Sequence, residues 1–288
     1  MKVLNVGVDK LTVIGNLYED AESGLQSILD EPHCKILGVP YLSAVRFQLY
    51  DGLVYVEYDK TMGKAYNRGN MRIEYNPAKT PIEIINAIVS TFKPMMHDVH
   101  FSRVDIAFDC NFDLSQYEHQ HKNPSKRSVF YGVDGKVETM YFGSRNSDFY
   151  SRTYNKKRQL QEVEQKEIEH EHLWRYEVEI KNRRTIDAML ALDFPLFERV
   201  QFTTPDLTGL KALEKLVCTA ILDHPEMINE LSKDSRTKYK KMIRENISDD
   251  VTPLFETQLK KELPQIKRTL ERWERIPSIK EIMNHQWF

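Results

Sequence analysis

Residues 101–110, FSRVDIAFDC, alternate polar and apolar side chains almost without a break. Along a strand, successive side chains point to opposite faces. Arg103, Asp105, Ala107 and Asp109 therefore share one face, and Val104, Ile106 and Phe108 the other. Residues 173–181, LWRYEVEIK, read the same way, with Arg175, Glu177 and Glu179 opposed to Tyr176, Val178 and Ile180. Each stretch offers one face for a core and one that carries acids and arginines to a surface. That is the pattern of an antiparallel sheet with one buried and one open face.

The neighbouring sequence extends this reading. AVRFQLYDGLVYVEYDK, residues 44–60, is two alternating runs joined at Asp51-Gly52, a strong hairpin signal. KRSVFYGVDGKVETMYFGS, residues 126–144, is a second hairpin turning at Asp134-Gly135. NMRIEYNP is a strand stopped at Asn76-Pro77, and PIEIINAIVSTF, residues 81–92, has helical spacing behind Pro81. After residue 182 the texture changes to stretches that predict helices alone: residues 208–222, 235–246 and 254–273. The fold class expected is α+β, with an antiparallel-sheet domain over residues 1–185 and a helical region over 186–288. VEYDK followed by NMRIEYNP is echoed by SRTYNK followed by WRYEVEIK, as if one sheet unit were used twice.

The chain has 288 residues, 41 basic and 43 acidic, and a net charge of −2, so the overall balance does not announce a nucleic-acid binder. Local fields decide such binding, and the charge is unevenly placed. Cys34, Cys110 and Cys218 lie far apart, which fits a reducing compartment and argues against a disulfide scaffold or a zinc-cysteine site. The opening residues carry no signal-peptide pattern and no apolar run reaches membrane-span length, so a cytoplasmic protein without a membrane partner is expected.

SRTYNKKRQ, residues 151–159, sets Tyr154 among Arg152, Lys156, Lys157 and Arg158. A phenol titrates near 10 and is a poor nucleophile at neutral pH. Cations favour its phenolate, attract a phosphodiester and offset charge in its transition state. The plainer reading is a half-buried strand tyrosine. The acids divide similarly. Carboxylates converging from neighbouring strands suit Mg²⁺ or Mn²⁺, while the plainer expectation is a solvated face with Arg103 and Arg175 pairing the acids. The pairs His119/His121 and His170/His172 have polar residues between them and read as solvent-exposed.

In order along the chain, LTVIGNL, VYVEYDK, NMRIEYNP, FSRVDIAFD, FYGVDGKVETMYFGSRNSDFYSRTYNKKRQ and HLWRYEVEIK resemble the Rep-trans family, the replication initiators of small Gram-positive rolling-circle plasmids. The resemblance spans roughly residues 10–275. It implies an antiparallel-sheet nuclease domain of HUH-like type. It also implies a site-specific endonuclease and strand transferase, which nicks one strand of the double-strand origin, often extruded as a hairpin. The tyrosine becomes joined to the 5′ phosphate, a 3′ hydroxyl is left to prime synthesis, and the strands are rejoined at termination.

On this resemblance Tyr154 is the nucleophile and Lys156 the charge partner of the scissile phosphate. Asp105 and Glu177, then Asp109, with Glu179 and Glu138 as further contributors, are the acids for a divalent Mg or Mn cofactor. Thr153 stands where the family has an isoleucine, and Arg158 departs from its Lys-Lys-Gln run. Residues 232–245 hold six basic residues against two acids, and Arg236, Lys238, Lys240, Lys241 and Arg244 are expected to contact origin DNA. Phe255, Leu259, Leu263, Ile266, Leu270 and Trp273 form a stripe that Pro264 interrupts, read as packing on the domain and as a site for dimer contact. A homodimer, a host helicase and a DNA polymerase follow by analogy. A conjugative relaxase and a catalytically inactive DNA-binding regulator are the competing functions.

Overall fold

The computed structural model describes residues 1–41, 44–61, 69–121, 126–165, 167–181 and 183–274. Its centre is a ten-stranded sheet in which every pairing is antiparallel. Two long strands, β1 (Val3–Leu17) and β6 (Met96–Cys110), lie side by side in the middle. Outward from β1 come β5 (Met71–Tyr75), β4 (Val54–Asp59), β3 (Ala44–Leu49) and β2 (Cys34–Tyr41). Outward from β6 come β11 (Trp174–Ile180), β10 (Phe149–Asn155), β9 (Val137–Phe142) and β8 (Arg127–Tyr131). In each half the first strand sits at the centre and the last strand returns beside it. The expected use of one sheet unit twice is therefore visible in the strand order.

The echo in sequence is one residue out of step with the echo in structure. Arg72 of β5 lies opposite Glu57, whereas Arg175 of β11 lies opposite Tyr154. With the arginines matched, Glu57 takes the place of Tyr154. Tyr58 points instead to the buried face, where its hydroxyl donates to Glu22 at 2.9 Å. A one-residue slip turns a strand side chain to the other face.

The hairpins turn where expected. Gly52 (φ +86°) and Gly135 (φ +74°) adopt backbone angles that favour glycine, and they close the β3–β4 and β8–β9 connections. The buried face is covered by α2 (Ile82–Phe92), α4 (Arg183–Leu190) and the long α7 (Thr252–Glu274). All six residues of the α7 stripe are buried in the chain's own core, so the stripe is not a surface left for a dimer contact. The helix also runs through Pro264. A helix-interior proline costs about 3 kcal/mol, and the apolar burial on both sides of Pro264 offsets it. Trp273 donates from Nε1 to the Tyr75 hydroxyl at 2.9 Å, tying the end of α7 to β5.

The region beyond residue 185 is not helices alone. β12 (Val200–Pro205) pairs with β7 (Glu118–His121) and β13 (Ile247–Asp250) in a three-stranded sheet. β12 is short and its ring at Phe202 belongs to the core, a signal that local periodicity over so few residues does not give. This small sheet packs beneath β9–β11. His119 is buried there, stacked on Phe142 and edge-on to Phe202, and is not a solvent-exposed histidine. Its Nδ1 lies 3.3 Å from the hydroxyl of Thr153, which gives that buried threonine a polar partner. Two further helices, α5 (Ala212–Asp223) and α6 (Lys233–Glu245), lie in the chain between β12 and β13. The division expected at residue 185 falls within the first turn of α4, and one core runs from Val3 to Trp273.

Phe255 of α7 is fully buried against Phe108, Phe112, Tyr176, Phe197 and Phe202. Phe255→Ala should cost about 3–5 kcal/mol. The check is the urea midpoint, which should fall with little change in the slope of the transition.

Candidate active site

The open face of the sheet takes its chemistry from the registers of β6, β11 and β10. Tyr154 lies opposite Arg175, and Arg175 opposite Asp109. The next row is Arg152, Glu177, Ala107, and the third is Tyr150, Glu179, Asp105. The two alternating stretches are thus neighbours, and their polar faces merge as expected. Lys10 of β1 stands opposite Asp105 and extends the third row into the other half. A cavity of about 750 Å³ lies on this face, bordered by Lys10, Arg103, Asp105, Arg152, Glu177 and Glu179. A smaller one of about 250 Å³ holds Tyr154 with Arg152, Thr139, Tyr141, Asn155 and Glu138.

Two of the four cations close to Tyr154 in sequence attend its ring. Arg152 lies over it at 5.5 Å and Lys156 at 5.8 Å. Asn155 accepts from the Arg158 backbone amide and caps α3 (Lys156–Glu164), which begins immediately after the tyrosine. That helix start commits the remaining two cations to other partners, with Arg158 still at the rim of the tyrosine cavity. Lys157 donates to the carbonyls of His170 and Glu171 at 2.8 and 3.3 Å, and Arg158 pairs with Glu138 and Glu162. Arg175 is the third cation of the tyrosine, supplied by the adjacent strand.

Burial pushes the Tyr154 phenol up to about 12; Arg175 and Arg152 pull it down, while Glu177 and Asp9 add to the rise. The cations were expected to favour the phenolate, and burial outweighs them. Burial also lowers the Lys156 ammonium from its ordinary range, with Arg175 acting in the same direction. Lys156 donates to Gln159 at 2.7 Å.

Every acid expected to bind metal is held by an arginine. Arg103 grips Asp105 through both nitrogens at 2.7 and 2.6 Å and also reaches Glu179 at 2.6 Å. Arg152 meets Glu177 at 2.6 Å. Arg175 grips Asp109 at 2.6 and 2.7 Å and extends to Asp9 at 2.8 Å. Glu138 pairs with Arg158 at the rim of the tyrosine cavity, apart from the other acids. The oxygen donors suit Mg²⁺ or Mn²⁺ in kind, and Glu177 Oε2 is buried without a hydrogen-bond partner. The acids face arginines as they stand, and among the described residues no three acids, histidines or cysteines are already grouped around one point. Bidentate guanidinium–carboxylate pairs occupy the positions that a cation would need. Asp9 is the acid that sequence reading missed. It sits at a register shift of β1 between Val8 and Lys10, where strand alternation gives no signal.

The basic helix α6 divides its charge. Arg236 donates to the carbonyls of Leu231 and Asn229, and Lys238 pairs with Glu214 of α5. Lys240, Lys241 and Arg244 are exposed. With Lys233 they fall at spacings of seven, eight and eleven residues, one side of a helix.

Asp105 is almost fully buried, and burial raises its carboxyl from 3.8 to about 6 against the pull of Arg103, with Glu177 and Glu179 adding to the rise. The folded chain therefore keeps a proton that the unfolded chain releases. The stability linked to that proton is complete below pH 3.8 and is lost as pH rises through 6. Relative to Asp105→Asn, the wild type should gain about 2–3 kcal/mol as pH falls from 7 to 4. Urea unfolding of both proteins at the two pH values gives the difference.

Residues 99–271 match the family described as Replication initiation factor, Rep_trans, and residues 10–96 match Replication initiation protein, N-terminal. A Replication initiation protein of Staphylococcus aureus is 32% identical over 268 residues, covering 92% of this chain and 83% of its own. A second from the same organism is 32% identical over 269 residues, covering 93% of this chain and 85% of its own. A solved structure of a rolling circle replication initiator protein from Geobacillus stearothermophilus aligns with a TM-score of 0.43 at 17% identity, over 72% of this chain and 90% of that one. The two family matches adjoin at the start of β6, that over residues 10–96 lying on the β1–β5 half of the sheet and that over residues 99–271 on the β6–β11 half and the C-terminal region. On the strength of these sequence matches, the chain belongs to the Rep_trans family of replication initiation factors.

Proposed function

We propose that the chain nicks one strand at a plasmid double-strand origin through Tyr154. The observation that carries this reading is a half-buried tyrosine on the open face of the sheet, ringed by Arg152, Lys156 and Arg175, in a member of this family. The phenol oxygen bonds to phosphorus and loses its proton. The bond to the 3′ oxygen breaks, and that oxygen gains a proton. The products are a 5′-phosphotyrosine and a 3′ hydroxyl that primes synthesis, and the reverse reaction rejoins strands at termination. Burial raises the phenol above its ordinary range, so it is neutral at working pH and must lose its proton as its oxygen bonds to phosphorus. The three cations offset the charge that develops on the phenol and on the phosphoryl oxygens. Lys156, at the start of α3, is the scissile-phosphate partner.

A divalent Mg or Mn held by Asp105 and Glu177, with Asp109, Glu179 and Glu138 as further ligands, belongs to this proposal. It would require Arg103 and Arg152 to release their acids first. The proposal also includes α6 as the origin-binding element, a second copy of the chain, a host helicase and a DNA polymerase. A relaxase would use the same chemistry at a transfer origin, and an inactive regulator would not need the tyrosine. The family match favours the initiator over both.

Tyr154→Phe should abolish nicking of a supercoiled origin plasmid and leave origin binding within a few-fold, because one oxygen is removed. A covalent protein–DNA adduct formed by this variant would exclude Tyr154 as the nucleophile and direct attention to Tyr150, which shares its face. Run in excess EDTA, the same assay tests the metal: nicking should stop and return with Mg or Mn, and persistence would remove the metal while leaving the tyrosine chemistry intact.

Replacing Lys240 and Lys241 with Ala should lower the slope of log affinity against log salt by about 0.9 for each duplex phosphate that is no longer neutralised. Cleavage of a single-stranded oligonucleotide carrying the nick site should change much less. An unchanged slope would mean that these lysines only face solvent.

A further inference from the structure

Aromatic side chains continue from the Tyr154 cavity to the edge of the sheet. Phe130 of β8 lies opposite Thr139 of β9, and Thr139 opposite Tyr154, so all three share the open face. In the adjacent row Tyr141 lies opposite Arg152 and lines the same cavity as Tyr154. The Phe130 ring meets Tyr141 edge-on, with centroids 5.6 Å apart and planes at 88°. Tyr141 in turn stacks on Tyr150 at 5.9 Å and 19°. Phe130 is 56% exposed, and the hairpin beyond it leaves Tyr131 and Val133 exposed as well. An isolated surface ring needs no explanation, but a joined patch of rings beside a cationic cavity does.

Proteins that hold single-stranded DNA combine cations along the backbone with aromatic rings on which bases stack. Both parts are present here. Arg152 and Lys156 attend Tyr154, and Arg145 reaches the Tyr150 hydroxyl. Phe130 and Tyr154 are two strands apart, about 10 Å across the sheet, the reach of a nucleotide or two. We infer that Phe130 and Tyr141 form a stacking platform for a base of the scissile strand, close to the phosphate that Tyr154 attacks. The inference rests on the reading of the Tyr154 cavity as the seat of that phosphate, although the platform holds its base whether or not the phenol reacts. The other occupant such an edge could take is a second copy of the chain, adding a strand to β8. The cations beside the rings favour DNA.

The experiment uses a single-stranded oligonucleotide containing the nick site, with 2-aminopurine placed in turn at each position around the scissile phosphate. Binding and fluorescence are measured with the full chain and with Phe130→Ala, Phe130→Leu and Phe130→Tyr. One position should be quenched by the wild type. Phe130→Ala should abolish that quench and weaken binding roughly 5- to 150-fold, the range for removing one base stack. Phe130→Leu should behave like Ala, because it keeps an apolar side chain and removes the ring, and Phe130→Tyr should behave like wild type. An abasic site at the quenched position should weaken wild-type binding to the same degree and make Phe130→Ala cost nothing further. Unchanged affinity and quenching in Phe130→Ala would overturn the inference. So would a change in sedimentation without a change in affinity, which would assign the edge to a second copy. If Tyr154→Phe still nicks while Phe130→Ala loses the quench, the nucleophile assignment fails and the platform stands.

Discussion

The pairing of β1 with β6 is the interaction on which the rest of the structure depends. Each is a fifteen-residue strand, and together they join two five-stranded units of the same order. Lys10 opposite Asp105 marks the point where the halves meet. Because side chains alternate strictly, this register places Val104, Ile106 and Phe108 in the core and Arg103, Asp105 and Asp109 on the open face. A slip of one residue would drive the charges into the apolar layer. The shifts along the β1–β6 ladder absorb the mismatch between two long twisted strands without changing that assignment. One of them leaves Asp9 within reach of Arg175.

The open face is a balance of buried charges. Two charges removed from water repay their desolvation only with close geometry and further hydrogen bonds. Arg103 serves Asp105 and Glu179, and Arg175 serves Asp109 and Asp9. Each guanidinium is thus shared between carboxylates, and burial raises the carboxyl of Asp105, the most buried of them. A phosphodiester entering this face would compete with the carboxylates for the same arginines, since each presents a pair of anionic acceptor oxygens suited to a guanidinium fork. The energy that holds the site together is then of the same kind as the energy that would bind substrate.

The other face separates tasks. The small sheet of β7, β12 and β13 packs its rings beneath Tyr176 and Phe142, and the chain leaves it between β12 and β13 to make α5 and α6. The exposed lysines of α6 therefore belong to an element rooted on the buried side of the main sheet, while Tyr154 opens on the opposite side. His119 and Thr153 meet within that packing, one residue from Tyr154 along β10. The buried contacts of the C-terminal region thus support the strand that carries the tyrosine.

Sequence alone determined what is local. Alternation assigned Arg103, Asp105, Asp109, Arg175, Glu177 and Glu179 to one face, Asp-Gly pairs located both hairpins, and apolar spacing marked α2 and α7. These follow from the period of two in a strand, the turn chemistry of glycine and the 3.6-residue helical turn, which act within a few residues. Only the tertiary structure decided which strands are neighbours, because β6 and β11 are paired by burial across more than sixty residues of chain. The tertiary structure set Arg175 against Asp109 and Tyr154, Arg103 against Glu179 and Arg152 against Glu177, so that guanidinium groups stand at the acids expected to hold a metal. It also buried His119 and the α7 stripe, and it held α7 helical through Pro264. In each case a local preference was open to more than one outcome, and the free energy of forming a single continuous core selected one.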